Sequence, residues 1–300
     1  MMGRLKKGRI IYVFIAMFAL VVALAPFCYA QGEAQGGTKE LEKPTPVPGE
    51  TETPAPEKVE MPTVNINTSF YSQYIWRGYE LSHKSFVMFP SVTVSYKGFS
   101  LNWWGDIDTD YGAGHHSTTR PNDLQCWEQD YLLWYSNSWQ KFNYTIGYIY
   151  YHTMPSHTQE VWVALGYSNF LNPTFSVWRD IEHGPSWYYN LALSHSFPIS
   201  KDRTCWKYDM SFDVGGWVSY YDQDHYWQPG VHPKTDYSGF HDGQVWTGLK
   251  VPLSDVCSIT PKIQYSFPLS TKARNNIKSL SFDGDDANFL YGGLILDYNF

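Results

Sequence analysis

Trp206-Lys207-Tyr208-Asp209-Met210-Ser211-Phe212-Asp213-Val214-Gly215 sorts its residues by parity, with Trp206, Tyr208, Met210, Phe212 and Val214 in one set and Lys207, Asp209, Ser211, Asp213 and Gly215 in the other. Successive side chains of an extended chain point to opposite faces, so this stretch predicts a strand with one apolar and one charged face; a helix would mix the two sets. The same separation recurs in Phe142, Tyr144, Ile146 and Tyr148 against Asn143, Thr145 and Gly147, and in Ile259, Pro261, Ile263 and Tyr265 against Thr260, Lys262 and Gln264. It returns at the end, where Leu290, Gly292, Leu294, Leu296, Tyr298 and Phe300 oppose Asp297 and Asn299.

Extended along the chain, the pattern predicts twelve strands, near 64–76, 86–96, 98–109, 126–136, 140–152, 158–168, 173–182, 186–198, 204–218, 239–251, 257–268 and 286–300. Short turns at Lys97-Gly98, Asn137-Ser138, Leu171-Asn172-Pro173, Ile199-Ser200-Lys201 and Leu253-Ser254-Asp255 alternate with longer loops near 77–85, 110–125, 153–157, 183–185, 219–238 and 269–285. An even strand count with that alternation predicts an all-β fold: a transmembrane antiparallel up-and-down β-barrel with short periplasmic turns and longer external loops. Pro90 and Pro261 weigh against their two strands, because proline donates no ladder hydrogen bond.

Composition agrees. Aromatic residues make up 18% of the chain, with 13 Trp and 24 Tyr, yet after residue 62 no apolar run is long enough for a spanning helix. Membrane barrels combine these features, since lipid-facing and lumen-facing residues alternate and Trp and Tyr collect at the interfaces. A soluble β-sandwich or carbohydrate-binding domain fits the composition too, but gives no reason for the long connections to fall at one end. The net charge of −7 argues against a nucleic-acid partner.

The chain opens with Arg4, Lys6, Lys7 and Arg9, an apolar run from Ile10 to Ala25, and small residues ending at Ala30. The run is short of the roughly 20 residues of a spanning helix, which predicts a signal peptide over 1–30 rather than a retained anchor. Cys28 raises lipidation as an alternative, although the bulky Phe27 before it does not suit that cleavage. Residues 31–62, with Pro44, Pro46, Pro48, Pro54 and Pro56, hold too little apolar area to offset ordering entropy and read as a disordered periplasmic linker. The barrel then occupies 63–300. Cys126, Cys205 and Cys257 remain, and the expected topology puts Cys205 and Cys257 two strands apart, farther than a disulfide spans, so no bridge is expected.

Ser72-Gln73-Tyr74-Ile75-Trp76-Arg77-Gly78, followed by Ser82, Pro90, Tyr96-Lys97-Gly98-Phe99 and Trp104 leading to Asp108, resembles the opening of the TorF-type family of outer-membrane porins, with its Tyr-x-x-Arg-Gly first hairpin at Tyr74, Arg77 and Gly78. The resemblance continues through Glu128-Gln129-Asp130, Gly147-Tyr148-Ile149-Tyr150-Tyr151 and, more loosely, Ser194-His195-Ser196-Phe197-Pro198, and covers most of 64–300. It implies location and fold more strongly than substrate. The aromatic, His-containing loop at 219–238 and the Pro-rich N-terminal spacer depart from the pattern. The terminal Tyr298-Asn299-Phe300 is similar to the signal by which barrel-assembly machinery recognises its clients.

About eight strands leave a filled barrel and about sixteen an aqueous channel, so twelve predict a narrow lumen for small solutes. The inward parity collects Asp106, Asp108, Glu128, Asp130, Glu160, Asp180, Asp209, Asp213 and Asp297 against Lys207, Lys250 and Lys262. Rings of carboxylates favour cationic or neutral solutes, unless these charges pair across the lumen and satisfy one another. Arg77 is placed to pair with an acidic lumen residue and pin its hairpin. Trp76, Trp103, Trp104, Trp127 and Trp134 suit an interfacial girdle or a solute-stacking track, and Trp104 and Trp134 share the inward parity.

An outer-membrane lipid hydrolase is the enzymatic alternative, with His115-His116-Ser117 and His195-Ser196 as raw material, but no third member of a triad stands at strand spacing. Asp283-Gly284-Asp285-Asp286 with Asp222, Asp224 and His225 form no complete calcium loop, and a solvated acidic loop accounts for them. The third class is a plugged structural or adhesion barrel. The expectation is therefore a porin without cofactor or metal, whose partners are outer-membrane lipid, the assembly machinery and small solutes.

Overall fold

The computed structural model describes residues 61–82, 85–109, 125–153, 156–182, 186–204, 206–223, 237–281 and 284–300. The expected signal peptide and all but the end of the linker lie outside the described residues. In chain order the strands are β1 (Thr63–Tyr71), β2 (Ile75–Trp76), β3 (Tyr79–Glu80), β4 (Val87–Tyr96), β5 (Phe99–Asp108), β6 (Gln125–Trp139), β7 (Phe142–Thr153), β8 (His157–Tyr167), β9 (Thr174–Asp180), β10 (Ser186–Ile199), β11 (Met210–Gln223), β12 (Tyr237–Pro252), β13 (Cys257–Pro268) and β14 (Phe289–Asn299). Twelve of them form a closed antiparallel barrel in sequence order, while β2 and β3 pair only with each other. β1 closes the ring on β14 through pairs such as Asn67 with Asp297 and Phe70 with Leu294, so the barrel has no unpaired edge.

The wall obeys parity. Ile66, Val94, Leu101, Leu133, Ile146, Val163, Phe175, Leu191, Val218, Val245, Ile263 and Leu290, one from each of the twelve strands, are exposed on the outside. Asn102, Asp130, Glu160, Gln244 and Gln264 are buried inside. A continuous apolar ring of this size far exceeds what a water-soluble surface carries. Val163 sits mid-strand and 47% exposed on that ring. Val163→Lys is expected to weaken folding into lipid vesicles by about 2–4 kcal/mol in a denaturant titration, and Ala164→Lys, whose side chain opens inward, by much less.

Turn chemistry fixes the short-turn end. Lys97 and Gly98 have φ of 51° and 85°, the left-handed pair of a two-residue hairpin turn that matches the twist of its strands. β6 runs to Trp139 and turns at Gln140 (φ 55°), two residues beyond the expected Asn137-Ser138. Pro90 and Pro261 lie within β4 and β13, in register with Thr68 and Leu294.

Three expectations need correction. The first strand ends at Tyr71, not 76, because 75–80 makes a hairpin of its own. The strand expected at 204–218 begins at Met210: Ser200 caps a short 3-10 turn at Lys201–Arg203, and the Lys201 amide donates to Asp209 Oδ1 (2.7 Å), which holds this segment as a turn. Lys207 and Asp209 are therefore exposed at the short-turn rim instead of lining the lumen. The loop expected at 269–285 contains a helix, α1 (Thr271–Leu280), whose N-terminus is capped by Ser270 accepting from the Ala273 amide (3.0 Å).

Candidate functional site

Residues 72–82 turn back from β1 into the bore. At the tip, Arg77 and Gly78 have φ of 47° and 83°, the left-handed pair of a tight hairpin turn. Gly78 is required twice over, since a Cβ there would stand 2.9 Å from Asp242 Cβ and 3.0 Å from Ile277 Cδ1. At the base, the Tyr74 amide donates to Ser82 Oγ (2.7 Å) and the Leu81 amide to the Tyr74 carbonyl (2.9 Å).

The hairpin crosses the lumen and touches most of its wall. Tyr74 packs edge-on against Phe89 of β4 (4.9 Å between centroids) and faces Trp104 of β5 (5.9 Å). Trp76 meets Tyr151 of β7 (6.3 Å). On the far side, Tyr79 Oη donates to Asn276 Oδ1 of α1 (2.7 Å), and the Glu80 amide donates to Ser281 Oγ (3.0 Å). Ala273 and Ile277, fully buried on α1, complete an apolar cluster with Tyr79, Tyr188, Tyr221, Tyr237, Phe289 and Tyr291.

Arg77 carries the polar contacts. Its Nη1 and Nη2 donate to Glu160 Oε1 and Oε2 of β8 at 2.8 and 2.7 Å, a two-pronged pair with side chains only 7% and 3% exposed. Tyr151 Oη donates to the same carboxylate (3.0 Å). The guanidinium carbon lies 4.4 Å from the Trp76 ring centre, 4.5 Å from Tyr188 and 5.8 Å from both Trp178 and Tyr221. Planar guanidinium suits this combination, because it hydrogen-bonds in its plane and stacks across its faces.

Behind the tip, the β11–β12 register shifts next to Ser219, so that His241 and Asp242, adjacent in sequence, both turn inward and are fully buried. This bulge breaks the parity rule to serve the hairpin. His241 Nε2 donates to the Arg77 carbonyl (3.1 Å), with the ring among Tyr79, Tyr221 and Tyr237. Asp242 accepts from Tyr188 Oη (3.0 Å), Trp217 Nε1 (3.2 Å) and Ser219 Oγ.

Of the residues picked from sequence, Asp106, Asp108, Glu128, Asp130 and Glu160 are buried together toward the long-loop ends of β5, β6 and β8, and Asp106 lies directly opposite Glu128. With Glu80 and Asp242 they make seven buried carboxylates, and among the described residues Arg77 forms an ion pair with one of them, Glu160. Asp108 accepts from Ser85 Oγ, and Asp180, half-buried at the end of β9, from Thr158 Oγ1 (2.8 Å). The structure does not gather the rest into this group. Asp213, Lys250 and Asp297 lie near the short-turn ends of their strands. Asp297 accepts from Asn67 Nδ2 (2.6 Å), and Lys262, mid-strand, lies 4.5 Å over Trp246. Tyr298 and Phe300 stack on each other outside, 6.2 Å apart, with the Phe300 amide bonded to the Val64 carbonyl (2.8 Å).

Trp104 and Trp134 share the inward parity of the lumen wall, whereas Trp103, paired with Tyr131, faces outward. Trp162, Trp178, Trp217 and Trp246 also face in and were not singled out from sequence. Trp162 stacks on Trp178 at 4.7 Å. A signal existed, because Trp162 is cross-strand from Gly147, where a Cβ would come within 2.5 Å of the indole.

His115, His116, Ser117, Cys205, Asp224, His225 and Asp283 lie outside the described residues. His195 packs against Phe170 and Phe197. Among the described residues no cluster of three or more His, Cys, Asp or Glu side chains could hold a metal ion.

No family model and no curated protein matches this chain. Among solved structures, the NanC porin shares 10% identity over 78% of this chain and 98% of its own, with a TM-score of 0.46. LpxR from Salmonella typhimurium shares 8% over 79% and 99% (TM-score 0.46), and the anion-selective porin from Comamonas acidovorans 9% over 80% and 99% (TM-score 0.31). The closed ladder and its strand order define the barrel independently of these similarities.

Proposed function

We propose that this chain is an outer-membrane channel for small solutes, narrowed from its long-loop end by the 72–82 hairpin and α1. One observation carries the reading: apolar side chains are exposed around the whole outside while carboxylates and amides line the inside. Hydrocarbon outside and water inside explain that inversion, and a closed barrel satisfies its backbone without water. The short-turn end then faces the periplasm, with the 31–62 linker. Lipid surrounds the apolar ring, and the assembly machinery reads the Tyr298 and Phe300 end. The seven buried carboxylates favour cationic or neutral cargo.

Planar-bilayer recording of the refolded protein in a salt gradient tests this. Discrete openings with a reversal potential on the cation side are expected, and anion preference overturns the selectivity. A folded barrel with no current favours the second reading, a plugged structural or adhesion barrel, which the hairpin lying across the bore supports.

A further inference from the structure

The aromatic and acidic surroundings of Arg77 divide unequally between hairpin and wall. Glu160, Tyr151, Trp178, Tyr188 and Tyr221 all stand on barrel strands, and only Trp76 comes from the hairpin with Arg77 itself. Withdrawing the hairpin would leave a carboxylate steadied by Tyr151 Oη beside three aromatic rings. Asp130, cross-strand from Tyr151, adds a second buried carboxylate nearby.

The hairpin is also built to part from the wall. β2 and β3 form a separate two-stranded sheet outside the barrel ladder, so the barrel closes without them. The tip is held by the Arg77–Glu160 pair, by His241 on the Arg77 carbonyl and by side-chain packing, and not by ladder bonds to the wall. Arg77 has a φ of 47°, a conformation that non-glycine residues seldom adopt, and the turn thereby points its guanidinium at Glu160.

We propose that the wall carries a binding site for a guanidinium-bearing solute, occupied in this closed state by the chain's own Arg77. A free guanidinium compound competes with Arg77 for Glu160 and the rings, and its binding releases the hairpin. The fit is to the planar, two-pronged cation: an ammonium group has the charge but neither the fork nor the flat face. A tethered group acts at an effective concentration on the order of millimolar, so a free competitor is needed at about that level in the intact protein and at much less once Arg77 is gone. This inference rests on the channel reading for its role in transport, though the site itself does not need a current to be detected.

The test compares wild type, Arg77→Ala and the double variant Arg77→Ala/Glu160→Gln, each refolded as the whole protein. Methylguanidinium chloride is titrated against methylammonium chloride at matched ionic strength, reading tryptophan fluorescence in detergent and single-channel current in bilayers. Arg77→Ala is expected to show saturable fluorescence change with methylguanidinium alone, at a midpoint at least about tenfold below wild type. In bilayers the same range should block the Arg77→Ala current, and the double variant should lose both effects. Equal responses to the two cations, or no saturation in Arg77→Ala, overturn the site. Saturable binding without current in any form keeps the site and overturns the channel; current without binding does the reverse. If Arg77→Ala fails to refold, wild type decides, since methylguanidinium must raise its opening frequency above that in methylammonium.

Discussion

Glu160→Ala is expected to destabilise the folded barrel by about 3–5 kcal/mol, the loss typical of breaking a buried ion pair from one side. The change strands the Arg77 guanidinium among Trp76, Tyr188 and Tyr221 with no carboxylate on either prong, and removes the acceptor of Tyr151 Oη. Arg77→Ala/Glu160→Ala should recover much of that loss, because the uncompensated charge goes with its partner. Denaturant titration of the four forms in lipid vesicles gives the coupling as a double-mutant cycle. A coupling near zero would mean that the pair does not form in the folded protein. Glu160→Gln should fall between, since an amide keeps the shape and one acceptor but not the charge.

What the sequence discloses follows from how local each feature is. A wall strand has a fixed environment on either side, so its alternation is written into every second residue. That is why Tyr144, Ile146 and Ile263 read as outward and Asp106, Asp130 and Glu160 as inward without knowledge of their neighbours. Alternation is necessary for a wall strand but not sufficient. Trp206-Lys207-Tyr208-Asp209 keeps the period and is still not strand, because the Ser200 cap and the Asp209 carboxylate hold that segment as a turn while Trp206 Nε1 donates to the Pro252 carbonyl (2.6 Å).

The site was legible as a set of residue types but not as an assembly. Arg77-Gly78 advertises a left-handed turn, yet nothing nearby says that the turn lies inside the barrel; that depends on Asp242, Ile277 and Glu160, contributed from far along the chain. The helix left a local trace, since Ala273, Ile277 and Leu280 recur at helical spacing within 271–280. His241 and Asp242 left none, because a bulge that turns two consecutive side chains inward is invisible to a parity rule.

The same dependence makes the hairpin separable from the barrel, and Gly78→Val exposes it. A β-branched residue at φ 83° is a steric outlier, and the left-handed region alone costs about 1–2 kcal/mol. Its Cβ would also press on Asp242 Cβ and Ile277 Cδ1, on two elements that cannot yield together: Asp242 is held by Tyr188, Trp217 and Ser219, and Ile277 is fully buried on α1. The hairpin is therefore expected to leave its seat while the twelve-stranded ladder stays closed, since β2 and β3 contribute nothing to that ladder. Conductance should rise severalfold, and the segment around Arg77 should become open to trypsin, which the wild-type protein should resist at that site. Gly78→Asn separates the two causes: asparagine tolerates left-handed backbone but still brings a Cβ, so packing alone should give it most of the same increase. Unchanged conductance and continued resistance at Arg77 in Gly78→Val would show that the hairpin is a fixed part of the wall, and that any solute path runs past it.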